Sequence, residues 1–264
     1  MTLKPLRICT LLALSFAFNL PAKATSSLFV EDMTWQEVRD AVAGGKTTAL
    51  YYAGSTEQNG PHMVTGKHNL IARHVVSRIG KELGNALIYP LMPFAPTGDA
   101  HKKTGHMAYA GSVTVDDETY ASVARHVAWS AAAAGFKCFV LMGDHGGGQT
   151  ALGRVAQEAT KSGTKPEMKV VHVLEVYERS NELAMAHLKQ VDLPYGDHAS
   201  IIDTSELMFV APASVRMDLL SQANQQTGSS GFAQLATAEL GKLFIDYKVS
   251  TALSKIREPS ACGL

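Results

Sequence analysis

Acidic and histidine side chains gather in three polar loops of this sequence, each beside an apolar run or a predicted helix. Neutral imidazoles combined with carboxylates are a ligand set for Zn, Mn or Fe. A divalent ion held by three protein groups and a water can generate hydroxide near neutral pH. The sequence therefore predicts a metal site with hydrolytic chemistry, built from residues among the following: Glu57, His62, His68, Asp144, His145, Asp197, His198 and Asp203.

Glu57, His68 and His145 are the predicted metal ligands within this group. Two imidazoles and one carboxylate leave an open coordination position, as hydrolytic zinc sites do. Mononuclear iron oxygenases use the same ligand types, so that class of enzyme is an alternative. No spacing here has the specificity of a zinc-finger cysteine pattern, and the prediction depends on the convergence of the loops.

Several of these loop residues also have a purely structural explanation. His62 follows Gly60-Pro61 and could simply cap that turn, and Asp203 could be a helix N-cap before Thr204. The glycine run 143–148 could be a tight turn between a strand and a helix. It matches neither the dinucleotide fingerprint nor the phosphate-binding P-loop. No G-x-S-x-G elbow occurs, so a serine hydrolase is not supported.

Strand, loop and helix alternate along the chain, which predicts how these loops are positioned. In the helix predicted over 68–83, for example, apolar residues recur every four positions from Ile71 to Leu83. The pattern favours a three-layer α/β/α fold with a mostly parallel central sheet, whose strand ends share one edge. Strands are predicted at 48–53, 86–89, 112–115, 136–142 and 168–173, and helices at 35–44, 68–83, 116–135, from about 150, at 178–190, 204–210 and 232–256.

The first residues have the order of a secretory signal peptide. A basic region with Lys4 and Arg7 precedes the apolar run 8–20 and the small-x-small sequence 22–24. We predict a signal peptide over 1–24, a single catalytic domain over 25–264, and a periplasmic or secreted protein with no membrane contact after cleavage. An uncleaved N-terminal anchor helix is the alternative.

Composition and cysteine content set further bounds. The 24 basic and 24 acidic residues are balanced, so nothing suggests a nucleic-acid partner. Cys138 lies in an apolar run and is predicted to be a small buried hydrophobic residue. A disulfide to Cys262 is permitted by an exported location, but the spacing of the cysteines does not indicate it.

The segment Gly54-Ser55-Thr56-Glu57-Gln58-Asn59-Gly60-Pro61-His62 resembles the G-S-x-E-Q-H-G-P-H signature of the creatininase (creatinine amidohydrolase) family. Further resemblances to family motifs follow in the family's order and cover nearly the whole predicted mature chain. They lie at Trp35–Val38, Gly143–Gly147, His198–Ser205 and Ala236–Gly241. The resemblance implies an α/β fold, a homo-oligomer that is often hexameric, and a hydrolase of small cyclic or linear amide C–N bonds.

Resemblance to this family also implies two divalent ions that share a bridging carboxylate, and here the sequence departs from the pattern. Asn59 stands where the family has a ligand histidine, His68 where it has the bridging aspartate, and Asp203 where it has a glutamate. A neutral imidazole offers one lone pair and cannot bridge two ions. We therefore expect one ion, with Zn favoured and Mn or Fe as alternatives.

Remaining roles also follow from the resemblance. His198 matches a catalytic histidine, which could donate a proton to the leaving nitrogen or hold an oxyanion. Asp197 could orient that ring, and Asp203 could be a fourth ligand or a base that orients the water. His101 and His106 could form pocket walls. The sequence predicts a metal-dependent amidohydrolase of a small amide other than creatinine; the alternative is a non-catalytic binding or scaffold protein with the same fold.

Overall fold

Four parallel strands form the central sheet in the computed structural model, which describes residues 27–162 and 168–263. Their order across the sheet is β2-β1-β3-β4, and each neighbouring pair is parallel. This topology confirms the predicted parallel sheet and places β1 and β3, whose residues are all buried, at its centre. The strands are β1 (Thr48–Ala53), β2 (Ala86–Ile88), β3 (Cys138–Gly143) and β4 (Lys169–His172).

Seven α-helices connect and cover the strands in the part of the chain that the structure describes. They are α1 (Trp35–Ala43), α2 (Lys67–Leu83), α3 (Asp117–Ala133), α4 (Gln149–Ser162), α5 (Glu178–Gln190), α6 (Ile201–Val210) and α7 (Ala238–Arg257). Several begin at side-chain caps, such as the Thr34 hydroxyl that accepts from the backbone N–H of Glu37 at the start of α1.

The two faces of the sheet bury separate apolar clusters, because successive side chains of a strand point to opposite sides. Leu50 and Tyr52 of β1 pack in one cluster with residues of α2 and α7. Tyr51 lies in the other cluster, with residues of α3 and α4. Helices therefore cover both faces, and the predicted three-layer α/β/α fold is confirmed. α5 and α6 pack outside this sandwich against α7.

Three predicted element boundaries differ from the structure. The predicted strand at 112–115 is only an isolated bridge between Ala95 and Thr114. The last helix begins at Ala238 because the Thr237 hydroxyl accepts from the N–H of Leu240 and caps it there. α6 begins at Ile201, so Asp203 lies within its first turn and does not precede the helix.

Cys138 and Cys262 form a disulfide, although they are 124 residues apart in sequence. Cys138 is buried, as predicted, and it also forms the bond that the sequence permitted but did not indicate. Packing of α7 against the sheet brings the end of the chain back to the start of β3, a proximity that linear spacing cannot indicate. The bond joins the C-terminal segment to the central sheet.

The predicted signal peptide, 1–24, lies outside the described residues. Within 27–162 and 168–263, none of the helices combines the length and the apolar character needed to cross a membrane.

Candidate metal centre

Glu57 is the centre of the site, which lies where β1 and β3 end. It follows β1, while His145 follows β3 and His68 lies in the first turn of α2. One carboxylate oxygen of Glu57, Oε1, is 3.1 Å from His68 Nε2, and the other, Oε2, is 2.8 Å from His145 Nε2. The structure thus brings the three predicted ligands together from three segments of the chain.

Glu57 is fully buried yet remains ionised. Burial by itself would raise the pKa of the Glu57 carboxyl, but hydrogen bonds from His145 and His68 outweigh this effect and hold the pKa well below its usual range. The Ser55 hydroxyl also donates to Oε2 at 3.0 Å. A buried carboxylate that stays charged at neutral pH is suited to binding a cation.

A network of buried charged groups lies behind the His68 ring. His68 Nδ1 is 2.8 Å from Asp144 Oδ2, and the other Asp144 oxygen accepts from the Lys248 ammonium at 3.0 Å. Tyr52 adds a hydroxyl 3.3 Å from Asp144. Because the Asp144 carboxylate accepts the Nδ1 hydrogen, Nε2 is the nitrogen that faces Glu57, and loss of its hydrogen would leave the lone pair that a metal ligand needs.

Glu206 belongs to this network and lines the cavity. Its Oε2 lies 3.5 Å from the Lys248 ammonium. Burial raises the pKa of Glu206 to about 7, against the opposing attraction of Lys248. Burial would lower the pKa of Lys248, but Asp144 and Glu206 outweigh it, so this lysine keeps its charge.

His145 is held by the glycine run that follows β3. The backbone N–H of Gly147 donates to His145 Nδ1 at 3.0 Å, and the Gly147 carbonyl oxygen lies 3.4 Å from the same atom. The carbonyl can accept a hydrogen from Nδ1 when Nε2 is needed as a ligand. Gly147 has no room for a side chain, since a Cβ there would lie 2.1 Å from the Pro96 carbonyl oxygen.

His106 and His198 lie farther from Glu57, at 3.8 Å and 4.0 Å, and form a second possible ligand group with it. The Gln58 amide contacts both rings. Its Oε1 accepts from the N–H of Gly60 at 2.9 Å, so its Nε2 donates to His106 Nδ1 at 3.1 Å. His106 therefore keeps its hydrogen on Nε2, the atom that faces Glu57, and is not a ligand in this tautomer.

His198 presents a different nitrogen to Glu57. Its Nε2 lies 3.0 Å from the backbone carbonyl oxygen of Gln58, which can only accept a hydrogen bond. The Gln58 amide nitrogen, which can only donate, lies 3.0 Å from the same Nε2. A hydrogen on Nε2 would bond to the carbonyl oxygen, whereas a lone pair on Nε2 would accept from the amide. Burial lowers the pKa of His198 to about 4, so the ring is neutral at pH 7 and one of its nitrogens is unprotonated.

Asp203 lies outside both ligand groups but lines the same cavity, and its role as a fourth ligand or base stays a prediction. Its Oδ1 accepts from the Lys67 ammonium at 2.8 Å, and its Oδ2 accepts from the backbone N–H of Ala199 at 2.6 Å. Burial would raise the pKa of Asp203, but Lys67 and His198 outweigh it and hold the carboxyl ionised. Both oxygens are engaged, which suits a positioning role.

Asp197 also differs from its prediction. Its Oδ1 accepts a hydrogen bond from the Ser230 hydroxyl, and Gln58, not Asp197, contacts the His198 ring. Of the two histidines predicted as pocket walls, His106 lies at the site and His101 is exposed.

The site opens into a cavity of about 220 Å³. This volume lies below the roughly 300–1,000 Å³ of pockets for drug-sized ligands, so the cavity suits a small molecule. Tyr177, Asn181, Met185 and Ile202 complete its wall, together with the charged residues Glu57, Lys67, Asp144, Asp203, Glu206 and Lys248.

Sequence reasoning missed Gln58, Lys67, Glu206 and Lys248. For Lys248 a signal exists, because it interrupts the apolar stripe of α7 between Ile245 and Val249. A charged residue at a core-facing helical position requires a buried partner. Neither Lys67 nor Glu206 carries a comparable signal.

The residues fit a divalent ion. Ligand atoms about 2.0–2.1 Å from a tetrahedral ion are roughly 3.3 Å apart. The contacts of His68 and His145, at 3.1 and 2.8 Å, are close to this spacing but reach different oxygens of Glu57, and the ligand atoms of the three residues lie within 4.8 Å of one another. Charge, donor type and the Asp144 contact of His68 all suit such an ion.

Comparisons with known proteins agree with this architecture. A creatinine amidohydrolase from Pseudomonas putida is 27% identical over 121 residues, which is 46% of each chain. A solved structure of creatinine amidohydrolase (creatininase) covers 88% of this chain and 98% of its own, with a TM-score of 0.70 and 19% identity. A mutant creatininase of Zn-Zn type has the same coverage, with a TM-score of 0.71 and 20% identity.

A putative creatinine amidohydrolase from Bacteroides fragilis is also similar in fold, with a TM-score of 0.63 and 14% identity over 87% of this chain and 95% of its own. The family model described as creatinine amidohydrolase matches residues 31–256, most of the chain. With the sheet topology and the Glu57-centred site, this match places the chain in the creatininase family of metal-dependent amidohydrolases.

Proposed function

We propose that this protein hydrolyses the C–N bond of a small cyclic or linear amide with one divalent ion bound by Glu57, His68 and His145. Zn is the favoured ion, with Mn and Fe as alternatives. The observation that carries the proposal is the buried Glu57 carboxylate between two imidazole Nε2 atoms, at 3.1 and 2.8 Å.

When bound, a divalent ion supplies Lewis acidity and lowers the pKa of a water molecule. The protein supplies the proton transfers. His198 is neutral, so it accepts a proton before it can donate one to the leaving nitrogen. Gln58 holds the ring in place, and Asp203 fixes the backbone of the neighbouring Ala199.

Two contacts support a single ion. Asn59 turns its amide nitrogen toward the backbone, where it donates to the Glu57 carbonyl oxygen at 2.9 Å. His106 is kept by Gln58 in a tautomer that has no lone pair facing Glu57. A second ion would need ligands from both of these positions or from rearranged side chains.

Metal analysis and an amide screen test the proposal together. We expect about one tightly held ion per chain and hydrolysis of one or more small amides or lactams. Replacing Glu57 with Gln should reduce metal affinity and turnover by about a hundredfold or more, since a charged ligand is lost. Glu178→Gln, an exposed glutamate in α5, is the control and should change neither.

Each of the other outcomes would favour a different function for this protein. Two tightly held ions would contradict the single-ion site. No metal and no hydrolysis would favour the non-catalytic binding or scaffold protein, an alternative motivated by Asn59 and His68 at the altered positions. Bound iron with oxygen-dependent turnover would favour the oxygenase.

We further propose that the protein is exported to the periplasm or secreted after cleavage near residue 24, with 25–264 as one catalytic domain. The Cys138–Cys262 disulfide supports this, because such bonds persist in oxidising compartments. A homo-oligomer, such as a hexamer, remains a prediction from the family resemblance. The intact mass of exported protein and light scattering of the purified chain test the two statements.

A further inference from the structure

Two lysines are buried among the residues that the structure describes, and they differ in how their ammonium groups are satisfied. Lys248 lies between two carboxylates, Asp144 at 3.0 Å and Glu206 at 3.5 Å. For Lys67, the only side-chain partner within 27–162 and 168–263 is Asp203, at 2.8 Å. An ammonium has three hydrogens, so Lys67 keeps donor capacity that this carboxylate does not use.

That spare capacity is directed at the cavity. Lys67 lines it together with Glu57, His145 and His198, yet its side chain is only 1% exposed. A buried ammonium destabilises the fold unless its hydrogens find acceptors. The other Asp203 oxygen is already occupied by the N–H of Ala199, so Asp203 cannot supply a second acceptor easily.

The position of Lys67 in the fold adds a second feature that favours an anion beside it. It is the first residue of α2, a helix of 17 residues with no acidic side chain in its first turn. The partial positive charge of a helix N-terminus favours nearby anions. The ammonium and the helix end therefore act in the same direction, on the wall of the same small cavity.

We propose that Lys67 binds an anionic oxygen of the ligand in this cavity, so that the natural substrate is a small amide that carries a carboxylate. This inference rests on the proposed function, because it names the substrate class of the same site. Lys67 would hold the carboxylate while the amide lies toward Glu57 and His198. Pairing with Asp203 keeps the ammonium in place when the cavity holds no ligand.

Binding of two matched probes to the zinc-loaded protein tests the proposal without turnover. Oxamate and oxamide differ in whether a carboxylate or a second amide flanks the same amide group. We expect the wild-type protein to prefer oxamate by calorimetry, and Lys67→Met to reduce the oxamate-to-oxamide affinity ratio by about tenfold or more, since a charge-assisted hydrogen bond is lost.

Because Lys67→Met leaves Asp203 unpaired, the double variant Lys67→Met/Asp203→Asn is essential. It removes both charges, and it can be measured in place of the single variant if that variant does not fold. We expect the ratio to stay low in the double variant. A ratio restored to within about twofold of wild type would show that Asp203 repulsion, and not loss of a contact, lowered it, and would overturn the proposal.

Two controls complete the experiment. Lys102→Met removes an exposed lysine and should leave the oxamate-to-oxamide affinity ratio unchanged. The zinc content of all variants must be equal. An unchanged ratio in Lys67→Met also overturns the proposal. If the anion preference depends on Lys67 but no amide is hydrolysed, the binding inference stands and the proposed hydrolase function fails, so the two are distinguishable.

Discussion

Glu57 has two groups of histidine neighbours, here called its two sides, and the two groups serve different purposes. On one side, the Asp144 carboxylate lies 2.8 Å from His68 Nδ1, and His68 Nε2 is 3.1 Å from Glu57. On the other side, the neutral amide of Gln58 contacts His106 and His198, which remain 3.8 and 4.0 Å from Glu57. The group that is hydrogen-bonded to an imidazole therefore decides the role of that ring.

A carboxylate that accepts from one ring nitrogen leaves the other nitrogen of the neutral ring to bind a cation, and it stabilises the charge of the ring when the ring is protonated. Burial and Lys67 lower the pKa of His68, but Asp144 and Glu57 outweigh them and raise it. An amide adds no charge, so burial dominates and the pKa of His198 falls to about 4. The first side is therefore suited to binding an ion and the second to moving a proton.

Replacing Asp144 with Asn removes the carboxylate of the first side and should have a larger effect than replacing Gln58 or His106 on the second. Loss of the carboxylate behind His68 should weaken zinc binding by about ten- to a hundredfold, as measured by competition with a chromophoric chelator near neutral pH. Asp246→Asn, at a surface ion pair with Arg78, is the control and should bind zinc normally.

Asp144→Asn also leaves Lys248 with one carboxylate fewer, so the double variant Asp144→Asn/Lys248→Met should be measured as well. Unaltered zinc affinity in both variants would show that this network of buried charges is structural only.

Replacing Gln58 with Glu makes the second side resemble the first. A carboxylate stabilises the imidazolium, so the protonated form of His198 should persist to higher pH, and its pKa should rise from about 4 by about one unit or more. Histidine proton resonances followed across a pH titration give the value. His172, which contacts Gln149 and whose pKa burial lowers to about 4, is an internal reference that should not move.

A His198 pKa that stays at about 4 in Gln58→Glu would mean that burial alone sets it.

Replacing His106 with Gln should have the smallest effect. Because His106 carries its hydrogen on the nitrogen that faces Glu57, zinc affinity should change by less than about threefold. The matched variant His145→Gln removes a ligand and should reduce affinity by about a hundredfold. A fall from two bound ions to one in His106→Gln would instead reveal a second metal site and contradict the assignment of the two sides.

Much of this architecture was predictable because local pattern carries it. The apolar runs of β1 and β3 and the four-residue spacing in α2 predicted elements within two residues of their observed bounds. Parallel strands then require their polar C-terminal loops to share an edge, which is why Glu57, His68 and His145 could be grouped in advance.

The prediction was less accurate wherever contacts join distant residues. Asp203 was predicted to act at the metal or its water, but Lys67, 136 residues away in sequence, engages it. Gln58 replaces Asp197 as the partner of His198 for the same reason, since the approach of α6 to the Glu57 loop decides which polar group is near the ring.

The sequence by itself determined the fold class, the family signature and the identity of the candidate ligands, because these follow from periodicity, turns and residue type. Only the tertiary structure decided which imidazole nitrogen faces Glu57, which lysine retains an unused donor, and that Cys138 meets Cys262. Each of these depends on the packing of segments far apart in the chain, where a few ångströms separate a ligand from a hydrogen-bond donor.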